Sequence, residues 1–342
     1  MSCNSPLIRA ETYETYINQK GGKSYKVEWL QRDQFDQMKK GSMSHKYRRI
    51  QPIPCGQCIE CRLQYSRDWA TRIMLEKNYG YNNESYPDGT CWFLTLTYQD
   101  EYLNTFKTLD TETGELIEGI SLNVEDMQKF WKRLRKAYPQ MKIKYFECGE
   151  YGKQTQRPHH HAIVFGLPLE QEQFKKVGMN NLNQPTWELE KLSKIWGNGF
   201  VNIGRVTWES AGYVARYTLK KATNKQDKQW DYQNGRLPEY VTMSNGIGTS
   251  YYQNNKEKIY KTDSVPIRNK KTGVNVKPPK YFDRMLMESD PEIAEEIKHQ
   301  RRKRAERQQN ILDYSTDLTR EERRKIAEER MARVIKDLRT EV

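Results

Sequence analysis

The stretch Pro158-His159-His160-His161-Ala162-Ile163-Val164-Phe165 limits what this chain can fold into more than any other. Three of the five histidines are consecutive there, and the apolar run behind them has the composition of a buried strand. Successive side chains of an extended strand point to opposite faces. His159 and His161 therefore project together and His160 projects away. Two imidazoles side by side at the start of a rigid strand supply half of a divalent-metal site. A strand end carrying solvated histidines is the plainer alternative.

A buried strand needs a sheet, and the flanking sequence provides one. Residues 142–148 read as a strand, 149–156 as a glycine-rich turn, and the histidine strand as the return arm of a β-hairpin with Glu147 and Glu150 at one end. Cys91-Trp92-Phe93-Leu94-Thr95-Leu96-Thr97-Tyr98 is rich in aromatic and β-favouring residues and reads as another strand. Residues 99–120 form a long polar connection with a hairpin around Thr113-Gly114. Helices are expected over 62–78, where Leu63, Trp69, Ile73 and Leu75 recur, and after the capping residue Asn123. In the latter, Met127, Phe130, Trp131, Leu134 and Tyr138 follow the helical period, and Lys129, Lys132, Arg133, Arg135 and Lys136 make the outer face basic. A helix over 186–196, a strand over 200–205 and a helix over 208–221 complete the pattern. The order predicts an α+β fold, an antiparallel β-sheet flanked by helices.

Four regions are expected: a basic, Cys-rich segment over 1–62, irregular before the cysteines; the sheet-containing core over 63–222; a polar, weakly patterned stretch over 223–281; and a charged helical region over 282–342. In the last, Met331, Val334, Ile335 and Leu338 give one narrow apolar face. Gly21-Gly22-Lys23-Ser24 lacks the earlier glycine of a P-loop, so ATP-driven unwinding is not encoded there.

The formal net charge of +13 points to a polyanionic partner, and 22 tyrosines and 8 tryptophans suit base stacking as well as packing. An ordinary basic protein is the alternative. No apolar run approaches the roughly 20 residues that cross a bilayer, and the N-terminus lacks a secretory apolar core. The expectation is no membrane association and a cytoplasmic location, where thiols stay reduced. The six cysteines then form no disulfide framework. Cys55-Gly56-Gln57-Cys58-Ile59-Glu60-Cys61 has zinc-knuckle spacing. With Cys3 as a fourth thiolate the set is complete for structural Zn²⁺; plain thiols at a helix start are the alternative.

Tyr213 and Tyr217 are one turn apart on the 208–221 helix, and Lys220 joins their face. Core tyrosines at that spacing are common, so the stripe is ambiguous alone. In combination the motifs resemble the HUH endonucleases. Phe93-Leu94-Thr95-Leu96-Thr97-Tyr98 is similar to their first motif strand, Pro158-His159-His160-His161 to their metal motif, and Tyr213-x-x-x-Tyr217-x-x-Lys220 to the two-tyrosine helix of φX-like phage replication initiators. The cysteine segment with Cys3 further resembles the gokushovirus replication initiators of the Microviridae. The resemblance covers about 1–225. Its middle metal-motif position is usually apolar or aromatic and here is His160; strand alternation selects His159 and His161, and Ala at 160 is expected to leave cleavage largely intact.

The resemblance implies a replication initiator that nicks single-stranded or origin DNA, forms a 5′-phosphotyrosine and rejoins strands in rolling-circle replication. It implies Mg²⁺ or Mn²⁺ at His159, His161 and a carboxylate, Glu150 being preferred to Glu147 because it lies nearer His159 in the hairpin. Tyr213 and Tyr217 are the implied nucleophiles, Lys220 the charge-offsetting cation, and a host helicase and polymerase the expected partners. Two other readings stand beside this one. A non-catalytic zinc-containing nucleic-acid-binding protein would form no metal-dependent covalent adduct, and a related transposase or relaxase would sit among mobilisation genes.

Overall fold

The structure, a computed structural model, describes residues 7–19, 21–30, 46–56, 59–81, 84–110, 113–152, 154–180, 183–223, 235–268, 273–315 and a few positions between 318 and 330. At 217–223 the backbone alone is described. Internal contacts divide the chain into two units, Met1–Arg62 with Ala305–Thr340, and Leu63–Arg304 with Glu341–Val342.

In the first unit β1 (Leu7–Ile17), β2 (Lys23–Leu30) and β3 (Tyr47–Ile53) form an antiparallel sheet in the order β2-β1-β3. This corrects the expectation of an irregular segment. Ala10 and Tyr47 make a small core with Leu30 and Ile50. Five of the eleven β1 residues, from Tyr13 to the strand end, are exposed, so an apolar alternation is absent from the sequence. Pairing supplies what the pattern lacks: the Tyr47 hydroxyl donates to Glu28 at 2.7 Å, and Arg48 reaches Glu11 at 3.3 Å.

The second unit is built on one seven-stranded sheet. Along the chain come α1 (Ile59–Tyr79), β4 (Cys91–Tyr98), the hairpin β5 (Asn104–Leu109) and β6 (Leu116–Ser121), and α2 (Val124–Ala137). Next are β7 (Lys144–Tyr151), β8 (Pro158–Phe165), β9 (Lys175–Met179), β10 (Pro185–Glu188), α3 (Glu190–Trp196), β11 (Gly199–Arg205) and α4 (Trp208–Thr223). Last come β12 (Tyr240–Met243), α5 (Thr249–Thr262), β13 (Val265–Arg268), β14 (Gly273–Val276), α6 (Lys280–Ser289) and α7 (Pro291–Ser315). The sheet order is β12-β7-β8-β4-β11-β10-β9, and every neighbouring pair is antiparallel. The fold is α+β with an antiparallel sheet flanked by helices, as the sequence predicts.

Strand alternation divides the sheet into two faces, each with its own core. On one face Phe146, Cys148, Ile163 and Phe165 pack with Trp69, Ile73 and Leu75 of α1 and Ala211, Val214 and Ala215 of α4. On the other, Trp92, Leu94, Leu96, Ala162 and Val164 meet Met127, Phe130 and Leu134 of α2 and Leu192 and Trp196 of α3. α2 begins where expected, with the Asn123 side chain accepting from the Glu125 amide at 3.0 Å.

Three local expectations are corrected. The 186–196 segment is not one helix: Thr186 and Trp187 belong to β10, where Trp187 pairs with Ile203, and the helix begins at Glu190. A β-favouring pair next to an open strand goes to the ladder rather than to the helix. β7 runs through Gly149 to Tyr151, and the turn starts at Gly152, whose carbonyl accepts from the Gln156 amide at 2.9 Å. The weakly patterned stretch after 223 contains β12, which extends the sheet, and the fourteen-residue helix α5. Met331, Val334, Ile335 and Leu338 lie outside the described residues. Among the described residues no helix is long and apolar enough to cross a membrane.

Candidate active site

β8 lies inside the sheet between β7 and β4, so both its ladders are filled and its side-chain directions are set from both sides. His159 stands opposite Glu150 on β7 and Thr97 on β4; His161 stands opposite Cys148 and Thr95. Nε2 of His159 and Nε2 of His161 approach the same Glu150 oxygen, at 2.8 and 2.9 Å. The three donor atoms lie within 4.8 Å of one another, and no other described group of three such residues converges in this way.

The surroundings orient the donors. A carbonyl oxygen only accepts, so Nδ1 of His159 donates to Arg157 at 3.1 Å and its Nε2 is the nitrogen turned to the cluster. The Arg157 carbonyl also receives the Gly152 amide at 2.9 Å, so the hairpin turn itself aims this ring. Thr95 Oγ1 is 3.0 Å from Nδ1 of His161, and the Phe93 ring stacks on that imidazole with centroids 5.4 Å apart. Metal-binding histidines characteristically have such partners on the nitrogen away from the metal. Burial pushes the Glu150 carboxyl upward, but hydrogen bonds from His159 and His161 outweigh it and hold the group well below the usual carboxylate range. An ionised carboxylate and two imidazole nitrogens form a donor set that fits a divalent cation.

α4 brings a phenol to this cluster. Thr207 and Ser210 cap it reciprocally: the Thr207 amide donates to Ser210 Oγ at 2.8 Å and the Ser210 amide to Thr207 Oγ1 at 3.2 Å. One turn later the Tyr213 hydroxyl lies 3.4 Å from Glu150 Oε1 and 3.5 Å from Nε2 of His161. Its ring meets His161 edge-on, with centroids 5.2 Å apart. The Arg216 guanidinium is 5.8 Å from the Tyr213 ring centroid, a neighbour the sequence reading did not single out. Its spacing of three from Tyr213 on a helix was the available signal. Tyr217 and Lys220 lie on α4, and their side chains are outside the described residues.

The other face of the same strands has different chemistry. His160 is 0% exposed, with Nε2 3.1 Å from the Tyr98 hydroxyl and Nδ1 3.3 Å from the Tyr240 hydroxyl. Burial, reinforced by the neighbouring His159 and His161 charges, pushes its pKa down to about 3, so the ring is neutral. Glu147 is turned to this face as well, accepts from the Trp131 indole N–H, and is pushed up to about 7 by burial. Glu150, the other carboxylate weighed in the sequence, is the one that faces the histidine pair.

In the first unit Cys55 is half-buried and Cys61 is buried. Cys3 and Cys58 lie outside the described residues.

Comparison with known proteins places these features in a group. The family model for the replication-associated protein ORF2 matches residues 91–222, the span from β4 to α4. The chain is similar to the replication-associated protein ORF2 of Spiroplasma virus 4, 37% identical over 261 residues, covering 75% of this chain and 74% of that one. It is 30% identical over 241 residues to the replication-associated protein VP4 of Bdellovibrio phage phiMH2K, covering 70% and 69%. It is 29% identical over 261 residues to the replication-associated protein ORF4 of Chlamydia phage 1, covering 74% and 59%. No solved structure matches the chain.

Proposed function

Starting from the fact that this chain belongs to the replication-associated proteins of the Microviridae, we propose that it initiates replication by cutting and rejoining single-stranded or origin DNA with tyrosines of α4. The observation that carries this reading is the Tyr213 hydroxyl, 3.4 Å from the carboxylate oxygen on which both histidines converge. A phenol with an ordinary pKa of about 10 is mostly protonated at neutral pH, so a tyrosine nucleophile needs such a neighbourhood.

His159, His161 and Glu150 are the residues that would hold Mg²⁺ or Mn²⁺. The bound cation would supply Lewis-acid charge to the scissile phosphate. Glu150 accepts from the Tyr213 hydroxyl and keeps the phenol at the cluster. The Tyr213 oxygen attacks phosphorus and the bond from phosphorus to the 3′ oxygen breaks. The phenolic proton is given up, and the departing 3′ oxygen takes one to become a free hydroxyl that can prime synthesis. The 5′-phosphotyrosine keeps the phosphodiester energy, so a later 3′ hydroxyl can displace the tyrosine without ATP. Tyr217, one turn away, serves the second cut, and Lys220 offsets charge on the phosphate. Cys3, Cys55, Cys58 and Cys61 hold a structural Zn²⁺ in the first unit, and a host helicase and polymerase extend the primed strand in the bacterial cytoplasm.

The test is incubation of the purified protein with the viral origin strand and Mn²⁺, followed by denaturing electrophoresis. A DNA–protein adduct is expected with the parent and none with the Tyr213→Phe/Tyr217→Phe double variant, which should still bind the strand. Nicking by the double variant at the parent's rate would overturn the tyrosine mechanism.

A further inference from the structure

The metal-motif strand carries a third histidine that the proposed chemistry does not use, and its surroundings are built with unusual care. Tyr240, Gly149, His160 and Leu96 stand opposite one another across β12, β7, β8 and β4. Tyr240 and His160 are therefore separated by a whole strand, yet Tyr240 reaches the imidazole at 3.3 Å. It can do so because position 149 has no side chain. A Cβ there would sit 2.7 Å from Cε1 and 3.1 Å from Cζ of the Tyr240 ring. No L-residue with a side chain leaves that passage open, and a glycine inside a strand marks such an approach.

The hydrogen bonds run in one direction. Asp126 on α2 receives the Tyr98 hydroxyl at 3.0 Å and the Asn104 amide at 2.9 Å. A carboxylate only accepts, so the Tyr98 proton is committed and the Tyr98 oxygen accepts from Nε2–H of His160. Nδ1 of His160 is then the acceptor for the Tyr240 hydroxyl. Both ring nitrogens are satisfied, in one tautomer only. The Trp196 ring packs on the imidazole edge-on, with centroids 6.0 Å apart.

From this geometry we infer that His160 is a positioning residue for His159 and His161, pinned by a hydrogen-bonded bridge from α2 to β12 that passes over Gly149. The inference rests on the reading of His159 and His161 as metal ligands. Those two side chains leave β8 immediately before and after residue 160, so the tilt of the strand at 160 sets the angle between their rings. An apolar residue in the middle would be held by contact alone, which restrains depth but not direction. Hydrogen bonds to two other strands restrain direction as well.

Mn²⁺ binding to the full-length protein, followed by the electron paramagnetic resonance signal of the free ion, tests this beside thermal unfolding. The parent should bind Mn²⁺ and His159→Ala should not. His160→Leu keeps the volume and removes both nitrogens, and should weaken Mn²⁺ about tenfold, the lower range for residues that orient metal ligands. His160→Gln offers one donor and one acceptor and should recover most of that affinity. Tyr240→Phe retains His160 and removes one partner, and should also weaken binding. A purely structural role would lower the unfolding temperature of these variants and leave the Mn²⁺ affinity of the folded protein unchanged; that result overturns the inference while the metal reading stands. If His160→Leu does not fold, Tyr240→Phe decides alone. A parent that binds no Mn²⁺, or His159→Ala binding like the parent, removes the metal reading and this inference with it.

Discussion

His159 and His160 are neighbours of identical chemistry in opposite environments. His159 meets an ionised carboxylate at the rim of the sheet, where its side chain is 20% exposed. His160 is sealed among Tyr98, Tyr240 and Trp196 and is neutral. The same contrast separates Glu150 from Glu147: two imidazoles hold the first well below the usual carboxylate range, and burial pushes the second up to about 7. One face gathers charge around an opening where a tyrosine arrives, and the other spends its polar groups on one another. The pleat of two strands is enough to make a reactive face and a structural face from one run of residues.

The strongest way to break this comparison is to exchange the roles of the histidines. His159→Ala or His161→Ala should abolish adduct formation on origin DNA while unfolding stays close to the parent's. His160→Ala should do the reverse in the larger part. It leaves a cavity and two buried phenols without their partner, at a cost of about 3 kcal/mol in chemical denaturation. This revises the expectation that position 160 is inert. Equal stability loss for His159→Ala and His160→Ala would dissolve the distinction between the faces.

A somewhat smaller effect is expected from Glu147, because only its protonation changes. Its folded pKa lies above the ordinary value, so the folded chain binds the extra proton. The associated stability is fully present below about pH 4.5 and is lost as pH rises through about 7, amounting to about 2–3 kcal/mol. Glu147→Gln keeps an acceptor for Trp131 and should flatten that part of the denaturation-midpoint profile between pH 5 and 8. A parent profile without this loss would place the carboxyl in a wetter setting than the structure does.

The smallest effect sharpens the reactive face. Thr95→Val removes the hydroxyl 3.0 Å from Nδ1 of His161 and keeps the branch. Mn²⁺ affinity should fall about tenfold, roughly 1.4 kcal/mol, with little change in unfolding. An unchanged affinity would mean that Phe93 stacking alone orients this ring.

Legibility in the sequence followed the strength of the periodic signal. β4, β8 and α2 carry dense apolar patterns and are found where the pattern puts them. β1 to β3 are long in the structure and faint in the sequence, because their exposed positions are polar or aromatic on both sides. β10 was hidden inside a helical pattern because its partner, β11, lies later in the chain. Gly149 read as the start of a turn for a related reason. Its role depends on Tyr240, ninety-one positions further on, and no local rule connects the two.

By itself the sequence determined which residues share a face: a strand has a period of two, so His159 and His161 had to project together wherever the strand lay. The helical period likewise put Tyr213 and Tyr217 on one stripe of α4. Only the tertiary structure decided what each face meets. That Glu150 rather than Glu147 joins the pair follows from the hairpin register, in which Glu150 lies opposite His159 while Glu147 points through the sheet toward Trp131. That Tyr213 arrives at the cluster follows from the packing of Ala211, Val214 and Ala215, which sets α4 against the sheet. Periodicity is a property of the backbone and is written locally. Ionisation and reach depend on distances between distant segments, and those exist only once the sheet is closed under its helices.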